Sequence, residues 1–155
     1  MKFSTKEDIE APLDAVFDML CDFETFERSA IRRGAEVQRT DALTKPGTGM
    51  TWTAAFSMRG KMRFLDIELI RFERPNEMAF QINSAGLAGL MQLELIALSR
   101  SRTRIMVSLE MRPQNLPTRL LIQSLKLAKS SLTKRYKLRV AEYAMNLEDR
   151  YRNLS

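Results

Sequence analysis

The 155-residue chain contains no histidine. Histidine is the commonest general base and the commonest metal-binding side chain, so Ser-His-Asp and Cys-His devices cannot be assembled within this chain. Cysteine occurs once, as Cys21. Zinc sites built from Cys and His are therefore excluded by stoichiometry. So is an internal disulfide framework, and a lone thiol suits a reducing compartment. No apolar run approaches the roughly 18 residues needed to span a bilayer. The opening Met1-Lys2-Phe3-Ser4-Thr5-Lys6-Glu7-Asp8 lacks the apolar segment of a secretory signal. From these absences we expect a cytoplasmic protein with no metal and no cofactor.

Acid is also under-represented relative to base: the formal net charge is +6 and the pI about 9.8. Nucleic acid, anionic lipid headgroups and acidic ligands become plausible partners, although the same charge also serves solubility. Hydrophobic residues make up 45% and charged residues 28%, which is ordinary for a globular protein. A chain of this length buries about 68–70% of its unfolded surface, enough for a core and a modest cavity. There is no repeat, linker or low-complexity stretch, so one domain is expected.

What is present is strong alternation near position 50. Met50, Trp52, Ala54, Phe56 and Met58 fall on one side of a strand, and Thr51, Thr53, Ala55, Ser57 and Arg59 on the other, because strand side chains change face at every residue. Methionine adapts to irregular neighbours, so this apolar side reads as one wall of a greasy pocket. Upstream, Phe3 to Ile9 is a first strand. Pro12 opens a short helix through Leu13, Val16, Phe17 and Leu20, and Asp22 begins another that stops at Gly34. Further strands are expected over Val37–Ala42, Met62–Phe72, Met78–Ile82, Leu90–Leu98 and Ile105–Met111. The Met62–Phe72 segment carries two apolar registers, Leu65/Ile67/Leu69 and Phe64/Ile70/Phe72, which a bulge would reconcile. Asn115-Leu116-Pro117 opens a final helix, expected to run unbroken to about Tyr151 with Leu121, Leu125, Leu132, Tyr136, Val140, Tyr143 and Leu147 on one stripe. Its early part, Leu120-Leu121-Ile122 with Leu125 and Leu127, is apolar on more than one side, which suits a helix pressed between the sheet and the two short helices.

Strand, two short helices, about six further antiparallel strands and a long helix make an α+β meander closed over a terminal helix. This order, with Ala11-Pro12-Leu13-Asp14-Ala15-Val16-Phe17, Asp22-Phe23, the Glu73-Arg74-Pro75 turn and Thr103-Arg104 opening a late strand, resembles the START/Bet v 1-like helix-grip superfamily (SRPBCC). Its nearest branch is the bacterial polyketide cyclase/dehydrase and lipid-transport group. Phe17 stands where many relatives carry Trp. The resemblance covers nearly all of residues 1–155, read as a single domain. It implies a curved antiparallel sheet of about seven strands around a long C-terminal helix, and binding of hydrophobic small molecules, in some members with catalysis. It does not fix one chemistry.

Three sets of candidate residues follow. The ligand-binding wall comprises Met50, Trp52, Phe56, Met58, Leu65, Ile67, Leu69, Phe80 and Leu93 from the strands and Leu121, Leu125 and Leu132 from the helix; the alternative is a filled core. The catalytic candidates are Glu7, Asp66 and Glu68, whose carboxyls would be raised in pKa if desolvated, with Tyr136 and Tyr143 as proton donors for a cyclase or dehydratase. The basic candidates are Arg119, Lys126, Lys134 and Lys137 in a stretch, 116–141, without an acid. They suit transient contact with an anionic membrane, or a ribosomal or RNA partner. No aromatic shares their face of the helix, which disfavours single-stranded nucleic acid recognised by stacking.

Overall fold

Alternation and turn chemistry produce the expected elements. The computed structural model describes residues 1–154. Among them the order is β1 (Lys2–Ile9), α1 (Leu13–Leu20), α2 (Phe23–Arg32), β2 (Glu36–Arg39), β3 (Thr51–Met58), β4 (Lys61–Glu73), β5 (Glu77–Ser84), β6 (Leu87–Ser99), β7 (Arg102–Pro113), α3 (Leu116–Lys126) and α4 (Lys129–Leu154). The strands form one antiparallel sheet in the order β1-β7-β6-β5-β4-β3-β2. It is a meander from β2 to β7, with β1 added beside β7. This is the α+β helix-grip architecture.

Cross-strand register fixes the two faces. Trp52 pairs with Ile67, Ala54 with Leu65 and Phe56 with Arg63, so these side chains share the concave side. Thr53 with Asp66 and Ala55 with Phe64 share the outer side. The two registers of β4 are reconciled by a bulge between Leu69 and Arg71. The extra residue moves Phe72 to the inside, where it meets Phe17 with ring centroids 5.4 Å apart.

The core sits where the short helices close one end of the sheet. Ile9, Phe17, Leu20, Met50, Leu69, Leu95 and Leu147 are fully buried there. Thr103, also fully buried, donates its hydroxyl to Ala11 O at 2.8 Å, which removes the cost of an unpaired polar atom. The C-terminal part of α4 is pinned to this end. Glu148 accepts the Glu10 N–H at 2.8 Å, and Arg150 donates to Asp22 at 3.2 Å.

The single long terminal helix is corrected to two. α3 begins as expected, with Asn115 Oδ1 accepting the Thr118 N–H at 3.0 Å and Pro117 in the first turn. It then ends in a tight turn: Leu127 N–H donates to Ser124 O at 3.3 Å and Ala128 N–H to Leu125 O at 3.0 Å. A straight helix over the whole segment would be almost 60 Å long at about 1.5 Å per residue. The longest strands, with 13 residues, reach only about 43 Å. A break lets both pieces lay an apolar stripe on the sheet. The apolar outer side of α3 does not meet the short helices, contrary to expectation; Leu116, Leu120 and Leu127 are exposed.

Candidate functional site

The twelve predicted wall residues divide into two groups. Met50, Trp52, Leu69 and Leu93 belong to the closed core. The Trp52 ring lies 5.4 Å from Phe23 and 6.2 Å from Phe80, centroid to centroid, and its Nε1–H donates to Glu27 Oε1 at 2.9 Å. Trp52 therefore closes one end of the interior rather than lining free space. Phe56, Met58, Leu65, Ile67, Phe80, Leu121, Leu125 and Leu132 are less completely covered, and all eight are half-buried. Register places the strand members of this group on the concave side. Apolar surface that faces inward yet still reaches water is what separates a binding trough from a packed core.

α3 stands over the open end. Arg59, in the β3–β4 hairpin, donates to Ser124 Oγ at 3.4 Å, and Thr118 donates to Ala85 O, in the β5–β6 hairpin, at 3.4 Å. The helix thus bridges two hairpin tips, with the start of β4 and the end of β5 between them. Gly86, with φ +75°, permits this approach: a Cβ there would lie 2.1 Å from the Asn115 side-chain nitrogen.

The acids are distributed differently from expectation. Asp66 and Glu68 lie on the outer side and are exposed. They share that side with Phe64, which is 67% exposed. The apolar residues beside them in sequence, Phe64 and Ile70, imitate an inner face. The bulge, and the choice of Leu65, Ile67 and Leu69 as the inner set, reverse that assignment. Glu7 does occupy the concave register, with Phe3 and Ile9, and is half-buried.

The two tyrosines are engaged. Tyr136 donates its hydroxyl to Val107 O at 2.8 Å, and burial pushes its pKa up to about 12. Tyr143 stacks on Phe26 with centroids 5.2 Å apart, and burial raises its pKa. Both are stiff, neutral packing groups at ordinary pH. Cys21 is likewise raised, to about 11, chiefly by burial, although Arg74 opposes the shift.

Two open concavities, of about 630 and 440 Å³, lie elsewhere. The larger runs along β1, β7 and β6, between Lys2, Lys6, Glu94 and Lys137. The smaller lies beside Phe64 on β2 and β3. Neither coincides with the predicted wall.

Sequence reasoning overlooked Arg63 as a site residue. It faces the concave side opposite Phe56, and its Nε is buried with no hydrogen-bond partner. The period-two rule applied to Leu65 and Ile67 contained this signal.

No protein-family model and no curated protein matches the chain. Solved structures do. TTHA0849 from Thermus thermophilus superposes with a TM-score of 0.67 at 15% identity, covering 100% of this chain and 99% of that one. A START superfamily protein from Mycobacterium smegmatis gives 0.57 at 10% identity, covering 86% and 95%. The Zhui aromatase/cyclase from Streptomyces sp. R1128 gives 0.58 at 11%, covering 75% and 70%. The chain has the START/Bet v 1-like helix-grip fold.

Proposed function

We propose that this protein binds a hydrophobic small molecule or lipid between the concave side of the sheet and the C-terminal helices, as a sequestering or transport protein of the cytoplasm. The observation that carries the reading is the incompletely covered apolar set Phe56, Met58, Leu65, Ile67, Phe80, Leu121, Leu125 and Leu132. Burying about 400 Å² of ligand apolar surface is worth roughly 10 kcal/mol before binding costs. Immobilisation removes several kcal/mol of that, which leaves affinity in the micromolar range. The single-domain reading of residues 1–155 is part of the same proposal. Native mass spectrometry of gently purified protein, followed by solvent extraction, tests it. A co-purifying apolar molecule is expected; protein that stays empty and takes up no apolar probe contradicts it.

A cyclase or dehydratase activity has less support, since Asp66 and Glu68 face outward and the Tyr136 hydroxyl already has a backbone partner.

Transient contact with an anionic membrane belongs to the same proposal, for ligand exchange. Leu116 and Leu120 fall within about 40° of each other on α3, at about 100° per residue, Leu127 is its C-terminal cap, and all three are exposed. Arg119 and Lys126 lie to one side of them on α3 and Lys129 opens α4; all three are exposed. Leu127, at the break between α3 and α4, is 91% exposed. An apolar knuckle within a basic surface fits the boundary of a negatively charged bilayer. No helix of the described residues is long and apolar enough to cross a membrane.

A further inference from the structure

A fully charged side chain stands on the apolar side of this sheet. Arg63 shares its face with Leu65 and Ile67 and is paired across the strands with Phe56. Its Nε is the one buried side-chain nitrogen or oxygen among the described residues that lacks a hydrogen-bond partner. Arginine cannot discharge itself by losing a proton, and leaving a covered N–H donor unpaired is costly. The acids nearest in sequence, Asp66 and Glu68, point to the other side of the sheet. The neighbouring Arg59 is occupied with Ser124. The surrounding charge is of one sign: 59–65 includes Arg59, Lys61 and Arg63 with no acid, and 116–141 has none either.

We propose that Arg63 is the headgroup anchor of the trough, and that the ligand is an amphipathic carboxylate, its acid held by the guanidinium and its apolar body laid along Phe56, Leu65 and Ile67. The inference rests on the ligand-binding reading above and narrows it to one class of molecule. The Nε and one terminal nitrogen of a guanidinium form a planar edge that matches the two oxygens of a carboxylate. A ligand supplying those oxygens satisfies the orphaned Nε donor and pairs the guanidinium charge together. A neutral hydrocarbon does neither.

The test uses a fluorescent polyene fatty acid, cis-parinaric acid, and its methyl ester, each titrated into the intact protein at about pH 8, where the acid is ionised. The wild type is expected to bind the acid at least tenfold more tightly than the ester, the order of a charge-assisted hydrogen bond. Arg63→Met should abolish that preference by weakening the acid while leaving the ester unchanged, and Arg63→Lys should fall between. Equal affinity of the wild type for acid and ester, or a preference that survives Arg63→Met, overturns the anchor while leaving the trough intact. Binding of neither probe removes the trough itself, and the anchor with it. If Arg63→Met does not fold, the acid-to-ester ratio of the wild type decides alone.

Discussion

The indole nitrogen of Trp52 donates to Glu27 at 2.9 Å, tying the third strand to the second helix. Trp52 is the only tryptophan, so its emission reports on this contact. Glu27→Ala leaves the indole N–H without its acceptor in a nearly closed site. The expected cost is about 1–2 kcal/mol, with a shift in the emission maximum. Glu27→Gln keeps an acceptor and should cost less. Denaturant unfolding followed by tryptophan fluorescence checks both.

The approach of α3 to the β5–β6 hairpin sets a second expectation. Gly86→Ala would push a methyl group into the Asn115 amide at 2.1 Å, on a backbone already in the left-handed region. Asn115 caps α3, so the substitution disturbs the cap as well as the turn. Asn115→Ala alone should cost about 1 kcal/mol. Gly86→Ala should cost more, because the φ strain is added. Thermal unfolding of the two variants tests the order.

Much of the fold was legible because each strand announces its own period. The alternation through Met50–Met58 and Ile105–Met111 identifies β3 and β7, and the mixed register of Met62–Phe72 anticipates the bulge at Leu69/Arg71. The break at Leu127–Ala128 was not legible. Neither residue is a helix breaker, and the cause is the limited span of the sheet beneath. The site was half legible. Period two places Leu65 and Ile67 inside, but it cannot say that Trp52 and Met50 belong to a closed end while Phe56 and Met58 border an accessible one. That division depends on where α1, α2 and α3 come to rest. Asp66 and Glu68 were misplaced because Phe64, an exposed phenylalanine, imitates a core position.

Acid should weaken the fold through Asp41. Its carboxylate accepts a two-pronged contact from Arg39 at 2.8 and 2.9 Å and the backbone N–H groups of Leu43 and Thr51, both at 2.9 Å. Hydrogen bonding to Arg39, above all, holds its pKa well below the usual carboxylate range. A folded pKa below the unfolded one means that folding stability from this group is complete above about pH 4. It is lost as pH falls through the lower, folded value. Asp41→Asn should lower stability at neutral pH and flatten this acid limb. Thermal midpoints measured from about pH 6 down to about pH 2 give the comparison.

Membrane contact predicts a dependence on lipid charge and on one side chain. Leu127→Glu places an acid at a position already 91% exposed, so folding should be unaffected. Co-sedimentation with vesicles rich in phosphatidylserine is expected for the wild type. It should weaken severalfold in the variant, fall with added salt, and vanish on neutral phosphatidylcholine vesicles. Retention that ignores both salt and Leu127→Glu argues against this surface.

Methyl resonances offer the most direct reading of the trough. In a protein labelled at Met and Ile methyl groups, a neutral apolar probe should shift Met58 and Ile67 on the concave side, while Met50, sealed in the core, stays in place. Shifts confined to outward-facing Met62 and Met106, or no saturable shift at all, would contradict the account.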